Sequence, residues 1–71
     1  MATISRDRAD VLMGQLVDLH EPGERRTALI KLIMIALRSS FQSEKLFCRS
    51  ANGLILKYDL DVRDNIPLYR A

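Results

Sequence analysis

The chain has 71 residues, eleven of them Lys or Arg and nine Asp or Glu, a formal net charge of +2 with 48% hydrophobic and 28% charged residues. That balance excludes an intrinsically disordered chain, which would be poorer in apolar residues and more one-sided in charge. With one cysteine and one histidine, an intrachain disulfide and a cysteine–histidine zinc cluster within one chain are excluded.

The length predicts a single small domain over residues 1–71. A domain of this size buries a small fraction of its unfolded surface. Without disulfide or metal, its expected support is association with another chain.

Residues 4–19 read as a first helix. Ser5 is the expected N-cap, with Thr3 as the competitor, and Asp7 stands in the first turn, where the helix dipole favours an acid. Ile4 can pack back on Ala9 as a hydrophobic staple. Val11, Leu12, Leu16 and Leu19 recur at helical spacing, widened by Met13 and Val17. Gly14 interrupts this helix at a cost of about 1 kcal/mol relative to alanine. It is either tolerated or marks a close helix–helix approach. His20-Glu21-Pro22-Gly23 then turns the chain, because the residue before proline leaves helical geometry. So short a connection predicts an antiparallel helical hairpin.

The second helix is expected from about Glu24 to Phe41, and it is the centre of the molecule. From Ala28 to Leu37 only Lys31 interrupts an apolar run. Glu24, Thr27, Lys31 and Arg38 make one narrow polar stripe. An element apolar almost all round must be covered almost all round. The run is about half the length needed to span a bilayer. The N-terminal residues include Arg6, Asp7, Arg8 and Asp10 rather than the apolar core of a signal peptide. A soluble protein of the cytoplasm is therefore expected.

From Lys45 the alternation of apolar and polar residues suggests period 2. Leu46 to Ser50 and Leu54 to Leu60 read as two strands joined through Ala51-Asn52-Gly53, a hairpin signal. The register that best segregates the faces puts Leu46, Cys48, Leu54, Leu56, Tyr58 and Leu60 inward, with Arg49, Lys57, Asp59 and Asp61 outward, joined there by Phe47 and Ile55. Ile66-Pro67-Leu68-Tyr69 reads as a short extended C-terminal arm. The expected fold class is α+β: an antiparallel helical hairpin, a β-hairpin and that arm.

In this arrangement the first helix covers one side of the second and the hairpin covers another. The third side calls for a cover: a partner, for which two-fold dimers are the commonest solution, or, as the alternative, the chain's own C-terminal arm, Ile66 to Tyr69, folded over the helix in a monomer. Leu29, Ile30, Ile33, Met34 and Leu37 are the expected residues of a homodimer interface.

Catalytic chemistry is not expected. The chain shows no glycine-rich phosphate loop, no serine–histidine–aspartate set and no paired-acid cleft. His20 reads as a surface histidine at a helix end, and Cys48 as a buried, inert thiol. No cofactor, metal site or membrane partner is implied. Basic residues are interleaved with acids, which weakens a nucleic-acid reading without removing it.

The expected role is a small non-enzymatic module that binds a larger intracellular protein and modulates it, most simply by inhibition, in the manner of accessory proteins carried by phages and mobile elements. Phe47, Arg49, Ile55, Arg63 and Tyr69 are its expected partner contacts. The alternatives are a dimeric nucleic-acid-binding transcriptional regulator working through the basic edge of the second helix, and a subunit of a larger assembly.

Overall fold

A computed structural model describes residues 3–60 as three helices: α1 (Arg6–Leu19), α2 (Glu24–Arg38) and α3 (Glu44–Tyr58). The two expected helices form, and their ends have identifiable causes. Ser5 caps α1, its hydroxyl accepting the Arg8 N–H at 3.1 Å, and Asp7 lies in the first turn. Ile4 packs against the core that contains Ala9. The Ile4 N–H donates to the Ala36 carbonyl at 3.4 Å, so the start of α1 lies beside the end of α2 and the pair is antiparallel.

α2 stops at Arg38, three residues before the expected Phe41. Ser39 and Ser40 turn their hydroxyls back onto the carbonyls of Ile35 and Leu37, at 3.1 and 2.8 Å. Ser40 and Phe41 close the end with tighter turns onto Leu37 and Arg38. Serines that satisfy late helix carbonyls in this way compete with continuation of the helix.

The α+β expectation is corrected here. Glu44–Tyr58 is one helix, and no strand occurs among the described residues. Phe47, Ala51 and Leu54 are buried and Tyr58 packs against the core, a spacing of four, three and four residues. The period of 2 read over Leu46 to Leu60 holds only if the chain turns at Asn52-Gly53. In the structure both are exposed helical residues, and nothing approaches within 4 Å of where a Cβ on Gly53 would stand.

Three features favour the helix. Ser43 caps it, accepting the Leu46 N–H at 3.4 Å; Glu44 stands in its first turn; and Lys57 stands in its last. The alternative, a lone two-stranded hairpin, is marginal at best and leaves both edges unpaired.

α3 ends at Asp59, whose φ of 50° is left-handed. The Leu60 N–H returns to the Ile55 carbonyl at 3.0 Å, the six-residue closure of a Schellman-type end. Leu60 is buried and belongs to the core.

The core draws on all three helices: Ala9, Met13 and Leu16 from α1, Ile30, Met34 and Leu37 from α2, and Phe47, Cys48, Ala51 and Leu54 from α3. The expected C-terminal arm, including Arg63 and Tyr69, lies outside the described residues.

Candidate interaction face

Two sides of α2 are covered by the chain itself, and each contact can be named. On one side lies α1, marked by the Ile4–Ala36 backbone bond. On the other lies the start of α3. There the Arg38 guanidinium stands 5.7 Å from the Phe47 ring centroid, bonds the Phe41 carbonyl at 3.4 Å and meets the Glu44 carboxylate at 3.5 Å. Between these flanks the inward stripe of α2, Ile30, Met34 and Leu37, is at most 2% exposed.

The opposite face of α2 stays open. Ala28 is exposed, Leu32 is 62% exposed and Ile35 is 41% exposed. Their spacing of four and three residues places them in one stripe along the helix. Leu29, Ile33 and Ala36 continue that apolar surface half-buried toward α1. The seven-residue series Glu24, Lys31 and Arg38 borders it on the other side.

The residues expected at a dimer interface therefore divide. Ile30, Met34 and Leu37 are spent in the chain's own core, because the helix turns these three toward α1 and α3. Leu29 and Ile33 pack half-buried at the edge of that core. The apolar surface left over belongs to Ala28, Leu32 and Ile35. An all-apolar stretch does not by itself say which stripe faces inward. The polar border did carry a signal: the open stripe lies next to the series Glu24, Lys31 and Arg38.

The expected partner contacts divide as well. Phe47 is 2% exposed and packs on Phe41, ring centroids 6.4 Å apart, since the helical period turns it inward. Ile55 is half-buried against the core for the same reason. Arg49 is exposed, on a strip of α3 that carries Lys45, Arg49, Asn52 and Leu56 at spacings of four, three and four. Leu56 is 83% exposed, the most exposed of the large apolar side chains described. No acid lies on this strip within α3, and the exposed Asp59 stands just past its end.

A polar cluster joins α3 to α1. The Asp10 carboxylate accepts the Tyr58 hydroxyl proton and both of its oxygens accept from the Lys57 ammonium, at 3.0 and 2.9 Å. The Tyr58 oxygen also lies 3.2 Å from the Asp10 carbonyl. Gly14 makes room for the phenol: a Cβ there would stand 3.2 Å from the Tyr58 hydroxyl oxygen. The close approach that Gly14 allows is thus to a side chain of α3.

The Tyr58 and Lys57 hydrogen bonds hold the Asp10 carboxyl below its ordinary value of 3.8. The same carboxylate raises both the Tyr58 phenol and the Lys57 ammonium. These three groups satisfy one another at the surface.

Among the described residues no three His, Cys, Asp or Glu side chains come together to hold a metal, and no described helix is long and apolar enough to cross a membrane. The chain matches no protein-family model, no curated protein and no solved structure.

Proposed function

We propose that the protein is a non-enzymatic protein-interaction module whose principal contact is the open face of α2, and that through such contacts it modulates a larger protein. One observation carries this reading. α1 and α3 dry two sides of α2, and the third keeps Leu32 and Ile35 in water. Fully burying one such side chain is worth about 1.5–3 kcal/mol. A contiguous apolar stripe with a charged border has the composition of a protein contact: an apolar centre and a polar rim.

The test is capture from a native lysate of the source cell with the chain as bait, in three forms: unaltered, Leu32→Asp and Leu56→Asp. A protein retained by the unaltered chain and by Leu56→Asp but lost with Leu32→Asp is the expected result. Equal retention by all three forms refutes the role of the α2 face.

The acid-free strip of α3 favours a second reading, contact with nucleic-acid phosphates through Lys45 and Arg49. Such binding must weaken steeply with salt. A gel shift at two salt concentrations, lost with the double substitution Lys45→Ala and Arg49→Ala, would support it over the first.

A further inference from the structure

The helix that carries the open face is basic. α2 holds four basic residues, Arg25, Arg26, Lys31 and Arg38, against one acid, Glu24. Two of the four are engaged within the chain. Arg26 is half-buried and donates to the His20 carbonyl at 3.4 Å, and Arg38 meets the Glu44 carboxylate at 3.5 Å. Arg25 and Lys31 are exposed, and neither meets a carboxylate among the described residues.

These two cations stand around the apolar stripe. Arg25 lies three residues before Ala28, so Arg25, Ala28, Leu32 and Ile35 follow one line at spacings of three, four and three. Lys31 stands beside that line, roughly 9 Å along the axis from Arg25.

The nearby acids do not cancel them. Glu24 is exposed in the first turn, where the helix dipole favours it, and Glu21 precedes the helix in the turn. The exposed acids of α1, Asp7 and Asp18, stand opposite its buried stripe of Ala9, Met13 and Leu16 and so point away from α2. Asp10 is held by Lys57 and Tyr58 of α3.

An occupant of this face has to answer both of its chemistries. A neutral apolar surface would take water from Arg25 and Lys31 without replacing it. A phosphate backbone would answer the cations and set its own charge beside Ala28, Leu32 and Ile35, which offer it no polar atom. A protein surface can bring carboxylates and an apolar centre together.

We propose that the surface covering the α2 face is an acidic one on a protein: an apolar pocket that takes Leu32 and Ile35, rimmed by carboxylates placed to meet Arg25 and Lys31. This rests on the reading of the α2 face as a protein contact and gives the chemistry of its partner. The two parts act at different stages. Opposite charges steer the encounter and set the rate of association, while the buried apolar contact sets the rate of release.

The probe is the protein retained by the unaltered chain and lost with Leu32→Asp, identified by mass spectrometry and purified. Association and dissociation rates are measured on the full chain at low and at high salt. The double reversal Arg25→Glu and Lys31→Glu alters two exposed positions and is expected to keep its helical circular dichroism. It is expected to slow association at low salt by at least about tenfold, with the difference shrinking at high salt. Glu24→Gln, which removes the acid of the face, is expected to speed association. Leu32→Lys is expected to retain more of the partner than Leu32→Asp, because the partner's carboxylates repel only the second.

Association unchanged or quickened by the double reversal overturns the proposal; with the loss at Leu32→Asp intact, the face is then a contact for a neutral or basic protein. If no protein depends on Leu32, the reading of the face fails and this proposal with it. Duplex DNA bound by the unaltered chain and released by the double reversal would overturn it as well, assigning the two cations to phosphates.

Discussion

Two glycines sit inside helices and their surroundings give them opposite consequences. Gly53 is exposed with open space where a side chain would go, so it only carries the entropic cost of glycine in a helix. Gly53→Ala is expected to stabilise the protein by about 0.8–1 kcal/mol, read as a rise in Tm of about 4–8 °C for a domain of this size. Gly14→Ala gains the same propensity but forces the Tyr58 hydroxyl to give way at 3.2 Å. Its Tm is expected to fall below that of Gly53→Ala, and the deficit is expected to shrink when both are compared in a Tyr58→Phe background, where the nearest atom is gone.

The Asp10 cluster sets a pH dependence at the same scale. Asp10 is held below 3.8 in the folded state, so the folded chain binds that proton less readily than the unfolded chain. Its contribution to stability is full above the ordinary carboxylate value and is lost as pH falls through the lowered folded value. Tyr58 and Lys57 are raised in the folded state. Their contribution is full below their ordinary values near 10 and is lost as pH rises toward the raised ones. Thermal melts against pH should show both losses, and Asp10→Asn should flatten the acid and the alkaline limb together. A variant that changes only one limb would separate the three groups.

For the elements, the contrast between α1 and α3 explains what could be read from the sequence. α1 has one cap and one acidic first turn, and its helix and Ser5 cap appear in place, but its buried stripe is Ala9, Met13 and Leu16, while Val11 and Leu19 of the expected stripe are 49% and 78% exposed. α3 has equivalent signals in Ser43, Glu44 and the series Phe47, Ala51, Leu54 and Tyr58. They compete with Asn52-Gly53, the strongest short-range hairpin signal. Local turn chemistry lost because a helix in this position buries Phe47, Cys48, Ala51 and Leu54 against α1 and α2, whereas a hairpin would need further strands.

The open face of α2 was legible only as a surplus. That the helix has more apolar surface than two neighbouring helices can cover follows from its composition. Which residues lie there depends on where α1 and α3 settle. Phe47→Ala measures the correction directly. As a core residue of α3 it is expected to cost roughly 3–5 kcal/mol, seen as loss of most of the cooperative melt. On the outer face of a hairpin the same change would fall within about 0.5 kcal/mol.

At the scale of the whole molecule, three short helices share one core, and α1 and α3 also meet each other through Asp10, Lys57 and Tyr58. The described chain covers α2 from the α1 side and from the α3 side, and leaves Ala28, Leu32 and Ile35 facing outward. A small domain gains much from whatever covers that stripe, because each apolar side chain covered there is a large fraction of its total stability. Under the proposed function interaction and stability are linked, because the contact at this face also covers its apolar stripe. The most direct test is the backbone amide spectrum of the full chain titrated with a protein it captures from the lysate. Shifts that move at residues 28, 32 and 35, while those around Val11 and Leu56 stay fixed, are the expected result. Invariance of the α2 shifts, or movement centred on the exposed leucine of α3, would contradict it.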